Sequence, residues 1–170
     1  IKVVTCTFCQ FASRYPALLA GNPSPVLNHA FAGGALMDIN LYNIHFIVGL
    51  FGAPKSVRYF ANRHESGVDT SGILLLEYED FLCQCTAAKD SAARNSVQII
   101  GVDGCMEITP SSSNLQTVEL NLRGQEQVSV HLPENPWYYE VQDLGRLFAA
   151  KDYDYCYKAL EVTHDVVEVL

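Results

Sequence analysis

Clusters of lysine and arginine are what this sequence lacks. Eleven basic residues are scattered through 170 positions against nineteen acidic ones, for a formal net charge of −8. With no basic patch to neutralise phosphates, neither a nucleic acid nor an anionic membrane surface is an expected partner. No uninterrupted apolar run approaches the roughly 18 to 20 residues of a membrane span, and no charged start followed by an apolar stretch marks a signal peptide. No membrane association and a cytoplasmic location are therefore expected.

Metal-ligand spacing is missing too. Cys6 and Cys9 lie in KVVTCTFCQF, which reads as a strand, and residues three apart on a strand point to opposite faces, so this pair cannot chelate as a zinc knuckle does. Cys83 and Cys85 would share a face, but six cysteines in a reducing compartment are expected as buried free thiols. No metal site is expected. An initiator methionine is also absent. The chain starts at Ile1 and enters a strand pattern at once, as if a segment had preceded it.

Apolar residues, by contrast, make up 49% of the chain, enough for one substantial core. IKVVTCTFCQF reads as a long strand. SRYPALLAGNPSPVLNHAF is an irregular connection with one short helical turn near Pro16 to Leu19. From Ala35 to about Phe51 the period becomes helical, and Gly52-Ala53-Pro54 stops it. Seven strand patterns follow: SVRYFAN, TSGILLLEY, FLCQCTAA, SVQIIGV, CMEIT, QTVELNL and EQVSVHL. The links at 78–81, 102–104 and 123–126 suit antiparallel hairpins. Two helical stretches close the chain, the first with Glu134 and Pro136 near its start. No repeat or linker divides it, so residues 1–170 form one domain. This segregation of elements predicts an α+β fold, a large, mostly antiparallel open sheet with helices on one face. Strands such as GILLLEY are apolar on both sides, so a partner subunit or a second domain is expected on the other face.

The helix at 35–51 carries the chemistry. At 100° per residue Asp38, Tyr42 and His45 fall within an arc of about 60°, on a helix that is otherwise apolar nearly all round. A carboxylate there must be paired, hydrogen-bonded or neutral. In one reading Asp38 is stabilised by the helix start, and Tyr42 and His45 are satisfied interior groups. In the other the stripe lines a cleft where a carboxylate beside a phenol orients a hydroxyl and relays its proton. Gly33 and Gly34 would permit close backbone approach of a ligand or second domain. Spacing leaves both readings open.

The stretch AGGALMDINLYNIHFIVGLFGAPKSV, from Gly33 through Val57, closely resembles the second-domain signature of the Gfo/Idh/MocA oxidoreductases. Its usual form is GGGxLxDxGxH or GGGxLxDxGxY, followed by a LFG-P-x-x-V strand entry. FASRY (11–15), NPWYYEVQDLGRLF (135–148) and ALEVTHDVVEVL (159–170) resemble the flanking family segments.

The resemblance implies a C-terminal domain like that of glyceraldehyde-3-phosphate dehydrogenase, partnered by an N-terminal Rossmann domain of the same polypeptide that binds NAD or NADP. No GxGxxG follows a strand here. The family's catalytic lysine, in an E-K-P segment of the first domain, has no counterpart; APK (53–55) has the reverse order. This chain alone is therefore expected to be inactive and to bind no cofactor.

By the same resemblance Asp38 binds and orients a hydroxylated small-molecule substrate, a sugar, polyol or relative. Tyr42 assists proton transfer while hydride passes to the nicotinamide. With an ordinary pKa near 10, a tyrosine base would need the first-domain lysine's charge. Asn40 replaces the motif's usual glycine and would narrow the pocket or add a hydrogen bond to it. His45 is pocket-adjacent or structural, and Arg14 and Tyr15 either reach substrate from the cleft-bordering loop or form a surface ion pair and a packed ring. A homo-oligomer through the open sheet face is expected. The competing functions are a stand-alone, non-catalytic ligand-binding or scaffold module of this fold, and a cofactor-free lyase or isomerase using Asp38, Tyr42 and His45.

Overall fold

The computed structural model describes residues 1–133, 135 and 137–170; Glu134 and Pro136, expected near the start of a helix, lie outside them. Strand β1 (Val3–Cys9) is followed by a short helix α1 (Tyr15–Leu19), two 3₁₀ turns, a π turn (Leu36–Asn40) and helix α2 (Leu41–Phe51). Strands β2 (Ser56–Arg63), β3 (Asp69–Glu77), β4 (Leu82–Ala88), β5 (Ser96–Ile100), β6 (Gly104–Ser111), β7 (Asn114–Leu122) and β8 (Val128–His131) come next. Helices α3 (Tyr138–Ala150) and α4 (Tyr153–Val169) end the chain.

The eight strands form one sheet in the order β2-β3-β4-β1-β5-β6-β7-β8. Consecutive strands pair as antiparallel hairpins at β2–β3, β3–β4, β5–β6, β6–β7 and β7–β8; the links read from the sequence at 78–81, 102–104 and 123–126 close the second, third and fifth of them. The first strand breaks the pattern. β1 lies between β4 and β5, parallel to β4 with Cys6 opposite Cys85, and antiparallel to β5. The chain from β4 to β5 must therefore cross β1 rather than turn back on itself.

One face of the sheet carries the core. Val4, Cys6, Leu74, Leu76, Cys83, Cys85 and Val97 pack against Ile44, Ile47 and Val48 of α2 and Val166 and Val169 of α4. Full burial of each large apolar side chain is worth about 1.5–3 kcal/mol. The stretch His29–Phe51 has a mean hydropathy of 1.3 over its most apolar window. It is long and apolar enough to cross a membrane by length and average composition, although polar residues interrupt it. Here it supplies the core helix of the sheet. Gly52 ends α2 with φ +76, and its N–H donates to Val48 O at 2.8 Å, a left-handed exit that glycine tolerates. Asp152 starts α4, its carboxylate accepting from Tyr155 N–H at 3.0 Å.

Cys6, Cys83 and Cys85 are buried free thiols on the helix side of the sheet, with the Cys83 and Cys85 sulfurs 3.8 Å apart. Hydrogen bonds within the trio, together with burial, push the Cys6 and Cys85 thiols up. No cluster among the described residues could hold a metal ion.

The other sheet face bears Val3, Phe60, Ile73, Leu75, Leu82 and Ile100, all at least partly open to solvent. This is the two-sided apolar character seen in GILLLEY.

Candidate functional site

The paired glycines serve the chain itself rather than a ligand. A Cβ on Gly33 would lie 2.5 Å from Pro25 O, and one on Gly34 (φ +141) would lie 1.9 Å from Asp69 Oδ1. Only glycine lets the backbone pass this close. Asp69 uses the proximity to organise the start of the helical segment. Its Oδ2 accepts from the N–H of Leu36 at 2.8 Å and from Tyr59 O–H at 2.6 Å. Burial first, then the bond and charge of Asp69, hold the Tyr59 phenol well above its ordinary range.

The segment then runs through a π turn at Leu36–Asn40 before settling into α2. Such single-turn π segments recur at functional sites because they re-aim side chains out of α register. Here the turn carries Asp38. The motif departure, Asn40, does not reach the pocket that Asp38 lines. It is fully buried, donating from Nδ2 to Cys85 O at 3.4 Å and accepting from Asn43 Nδ2 at 2.9 Å. Asn43 also donates to Thr86 O at 3.3 Å and accepts from Ser112 Oγ at 2.6 Å. This amide ladder ties the π turn and α2 to β4 and to the β6–β7 turn, and each buried polar group in it finds a partner.

Above the ladder lies a cleft of about 500 Å³. Phe8 and Gln10 enter it from the end of β1, Asp38 from the π turn and Tyr42 from α2, with Asn114 and Trp137 opposite. Tyr42 is 48% exposed and meets Phe8 edge to face, with ring centroids 5.7 Å apart. Asn114 Oδ1 is buried and lacks a partner among the described residues. An adjoining recess of about 270 Å³ shares Gln10, Asp38 and Ile39 and is closed by Arg14 and Lys89.

Lys89, which the sequence did not single out, is the most constrained charge here. Its side chain is 4% exposed, and its ammonium donates to Oδ2 of Asp38, whose side chain is 40% exposed. Asp38 is thus paired, and it also borders both cavities; the two readings of the stripe combine at this residue. The remaining candidates separate. Arg14 lines the recess. Tyr15 packs beside Leu18, Leu27 and Val68 and against Phe11, as the packed ring of its structural alternative. His45 is exposed and lines neither cavity. It lies seven residues beyond Asp38, about 10 Å further along the axis, and the π turn between them breaks the α register that the spacing assumes.

A second carboxylate, Asp90, stands just after Lys89. Burial pushes its pKa up, but bonds from the hydroxyls of Thr70, Ser91 and Ser71 outweigh that and hold it below the usual range. It anchors the end of β4 beside the site.

Residues 1–107 match the profile of the GFO/IDH/MocA C-terminal domain. The chain belongs to that family. It is 33% identical over 144 residues to the uncharacterized oxidoreductase YgjR of Escherichia coli, covering 84% of this chain and 44% of that one. It is 31% identical over 149 residues to the NADP-dependent scyllo-inositol 2-dehydrogenase IolU of Bacillus subtilis, covering 86% and 45%. Its fold is similar to that of the 3-ketoreductase KijD10 of Actinomadura kijaniata, solved with NADP and TDP-benzene. There the TM-score is 0.66 at 18% identity, over 89% of this chain and 47% of that one. The chain thus spans less than half the length of these curated relatives.

Proposed function

We propose that this chain is the substrate-binding and oligomerisation domain of an NAD(P)-dependent oxidoreductase acting on a sugar, polyol or related hydroxylated compound. The observation that carries the reading is the convergence of Asp38 and Tyr42 on one cleft whose lining also includes Phe8, Gln10, Asn114, Trp137 and Glu140. Aromatic faces with a few polar groups suit the C–H faces and hydroxyls of a sugar-like ligand. The relatives' activities, scyllo-inositol 2-dehydrogenase and 3-ketoreductase, belong to the same class of alcohol–ketone chemistry.

NAD or NADP, held by an N-terminal Rossmann domain, would supply the hydride acceptor for the carbinol carbon. The work of this chain is to hold the hydroxyl. The Asp38 carboxylate accepts a hydrogen bond from a substrate hydroxyl and fixes its direction, and Tyr42, as the phenolate favoured by the charge of the first-domain lysine, takes the proton of the reacting hydroxyl as the C–H bond breaks. Tyr42 reaches the cleft at a half-exposed position, which lets a second domain close over it and exclude water. The cofactor, NAD or NADP, would be held by the N-terminal Rossmann domain, where the family resemblance places the dinucleotide fingerprint.

The exposed apolar faces support two contacts. Phe148 of α3 and Tyr153 and Tyr157 of α4 are open to solvent and suit docking of the nucleotide-binding domain. The open sheet face at Phe60, Ile73, Leu75 and Leu82 suits a second copy of the chain. The net charge of −8 favours neither nucleic acid nor an anionic membrane as a partner, and a cytoplasmic location accords with free buried cysteines.

The test has two parts. NADPH titrated into the 170-residue chain should show no micromolar binding by fluorescence. In the protein joined to its nucleotide-binding domain, Tyr42→Phe should lower kcat for polyol oxidation on the order of a hundredfold while leaving cofactor affinity unchanged. Micromolar NADPH binding by the chain alone, or an unchanged kcat in the variant, would overturn the reading.

A further inference from the structure

Lys89 follows the last residue of β4, and its backbone is held on both sides. Its N–H donates to Thr70 O at 2.7 Å, and its carbonyl accepts from Ala12 N–H at 2.8 Å. The side chain therefore springs from a fixed point and runs through the interior to the recess, where its ammonium meets Asp38. Such burial of a cation is tolerated only when it is paired.

Asp38 differs from its partner. It sits in the π turn, outside regular α register, with much of its carboxylate open to the cleft. A carboxylate so exposed would exchange rotamers unless something held it. Lys89 engages Oδ2, and Oδ1 has no hydrogen-bond partner among the described residues.

We propose that Lys89 is a positioning residue for the reaction: it locks the Asp38 carboxylate in one rotamer, with Oδ2 committed to the ammonium and Oδ1 left to accept the substrate hydroxyl. The inference rests on the cleft being the substrate site, and it adds a second lysine, internal to this chain, to the one expected from the nucleotide-binding domain. Lys89 itself does not touch the reacting atoms; its effect passes through Asp38. Fixing an acceptor in advance of binding removes an ordering cost that would otherwise appear in the transition state.

Two measurements test it. In the 170-residue chain, three-bond N–Cγ and C′–Cγ couplings report the χ1 rotamer of Asp38. They should take single-rotamer values in the wild type and in Lys89→Arg, and averaged values in Lys89→Met. Couplings unchanged in Lys89→Met would overturn the proposal, whatever the enzyme's substrate.

The second measurement uses the protein joined to its nucleotide-binding domain, with scyllo-inositol and NADP⁺ as the probe reaction. Asp38→Asn should lower kcat/KM about a hundredfold and Lys89→Met about tenfold, with the KM for NADP⁺ unchanged. The double variant should be no worse than about threefold below Asp38→Asn, because both changes break one device. Lys89→Arg should recover most of the loss. Fully multiplicative losses would show Lys89 acting independently of Asp38 and overturn the proposal. Wild-type activity in Lys89→Met with Asp38→Asn impaired would sink it while leaving the substrate-site reading standing. Wild-type activity in Asp38→Asn would overturn both.

Discussion

Removing Asp38 should harm the fold more than removing Lys89, although the two form one ion pair. The asymmetry follows from their burial: the lysine side chain is 4% exposed and the aspartate 40%. In Asp38→Ala the ammonium stays inside with no counter-ion. Stripping one partner from a fully buried pair costs about 3–5 kcal/mol. Because the carboxylate side is partly solvated, the pair is worth less than that, and a loss of about 2–3 kcal/mol is expected. In Lys89→Met the orphan is a carboxylate that water can reach. The methionine fills most of the space of the lysine stem, so the loss should be about 1 kcal/mol. For a domain of this size 1 kcal/mol shifts Tm by about 2–4 °C. Thermal unfolding followed by circular dichroism should therefore show falls of about 5–10 °C for Asp38→Ala and about 2–4 °C for Lys89→Met. Equal falls, or a larger one for Lys89→Met, would refute the view that Lys89 is the desolvated member.

Gly34→Ala should be among the most damaging single substitutions, costing at least about 3 kcal/mol in urea titrations, since the φ of +141 is strained for alanine and the new Cβ would lie on the Asp69 carboxylate. Asn43→Ala breaks bonds to Asn40, Thr86 and Ser112 and should cost about 3 kcal/mol, with buried amide and hydroxyl groups left unpaired; an exposed-site value under 0.5 kcal/mol would mean water replaces the ladder. Alkali should unfold the chain. Burial holds Tyr59 and Tyr78 above their ordinary range, with Asp69 adding to the effect at Tyr59 and the Cys83 and Cys85 charges at Tyr78. The unfolded chain loses those protons first, so the stability they contribute is fully present below about pH 10 and is lost as pH rises from there through the folded values. Each contributes a slope of at most about 1.4 kcal/mol per pH unit, reduced by solvent screening. Tyr59→Phe and Tyr78→Phe should each flatten the alkaline limb, and an unchanged limb would count against the burial argument.

Patterns local to a few residues were legible in the sequence. The hairpins β3–β4, β5–β6 and β7–β8 announce themselves through alternation and turn residues, and the core helix through its apolar girth. The structure of residues 36–40 was not legible, because a π turn and an α turn present nearly the same apolar pattern over five residues. Nor was the role of Asn40. Whether a polar residue beside a catalytic-looking aspartate faces the pocket or the sheet depends on the turn's register, and here it reaches inward to Cys85 O. His45, pocket-adjacent or structural by sequence, depends on the same turn: its angle from Asp38 assumes an unbroken α register, and its distance from a cavity requires knowing where the cavity ends.

Lys89 depends on the least local feature of the fold. A lysine after QCTAA, at a strand end followed by Asp-Ser, has the sequence appearance of a solvated turn residue. What buries it is the parallel pairing of β1 with β4, strands about eighty residues apart whose register sets Cys9 opposite Ala88. In a hairpin the end of one strand is filled by the turn into its neighbour. Two parallel neighbours instead leave the sheet side by side at the same end, and their outgoing chains must separate. Here the two chains stay hydrogen-bonded just past the strand ends, Gln10 N–H donating to Ala88 O at 2.9 Å and Ala12 N–H to Lys89 O at 2.8 Å, and from this end the Lys89 side chain meets Asp38 of the π turn. Open α/β sheets place ligands at the carboxyl ends of parallel strands for a related reason. A single parallel pair in an otherwise antiparallel sheet is enough to create such an end, and the cleft forms where that end meets Asn114 beside the β6–β7 turn, with the buried cation in the adjoining recess.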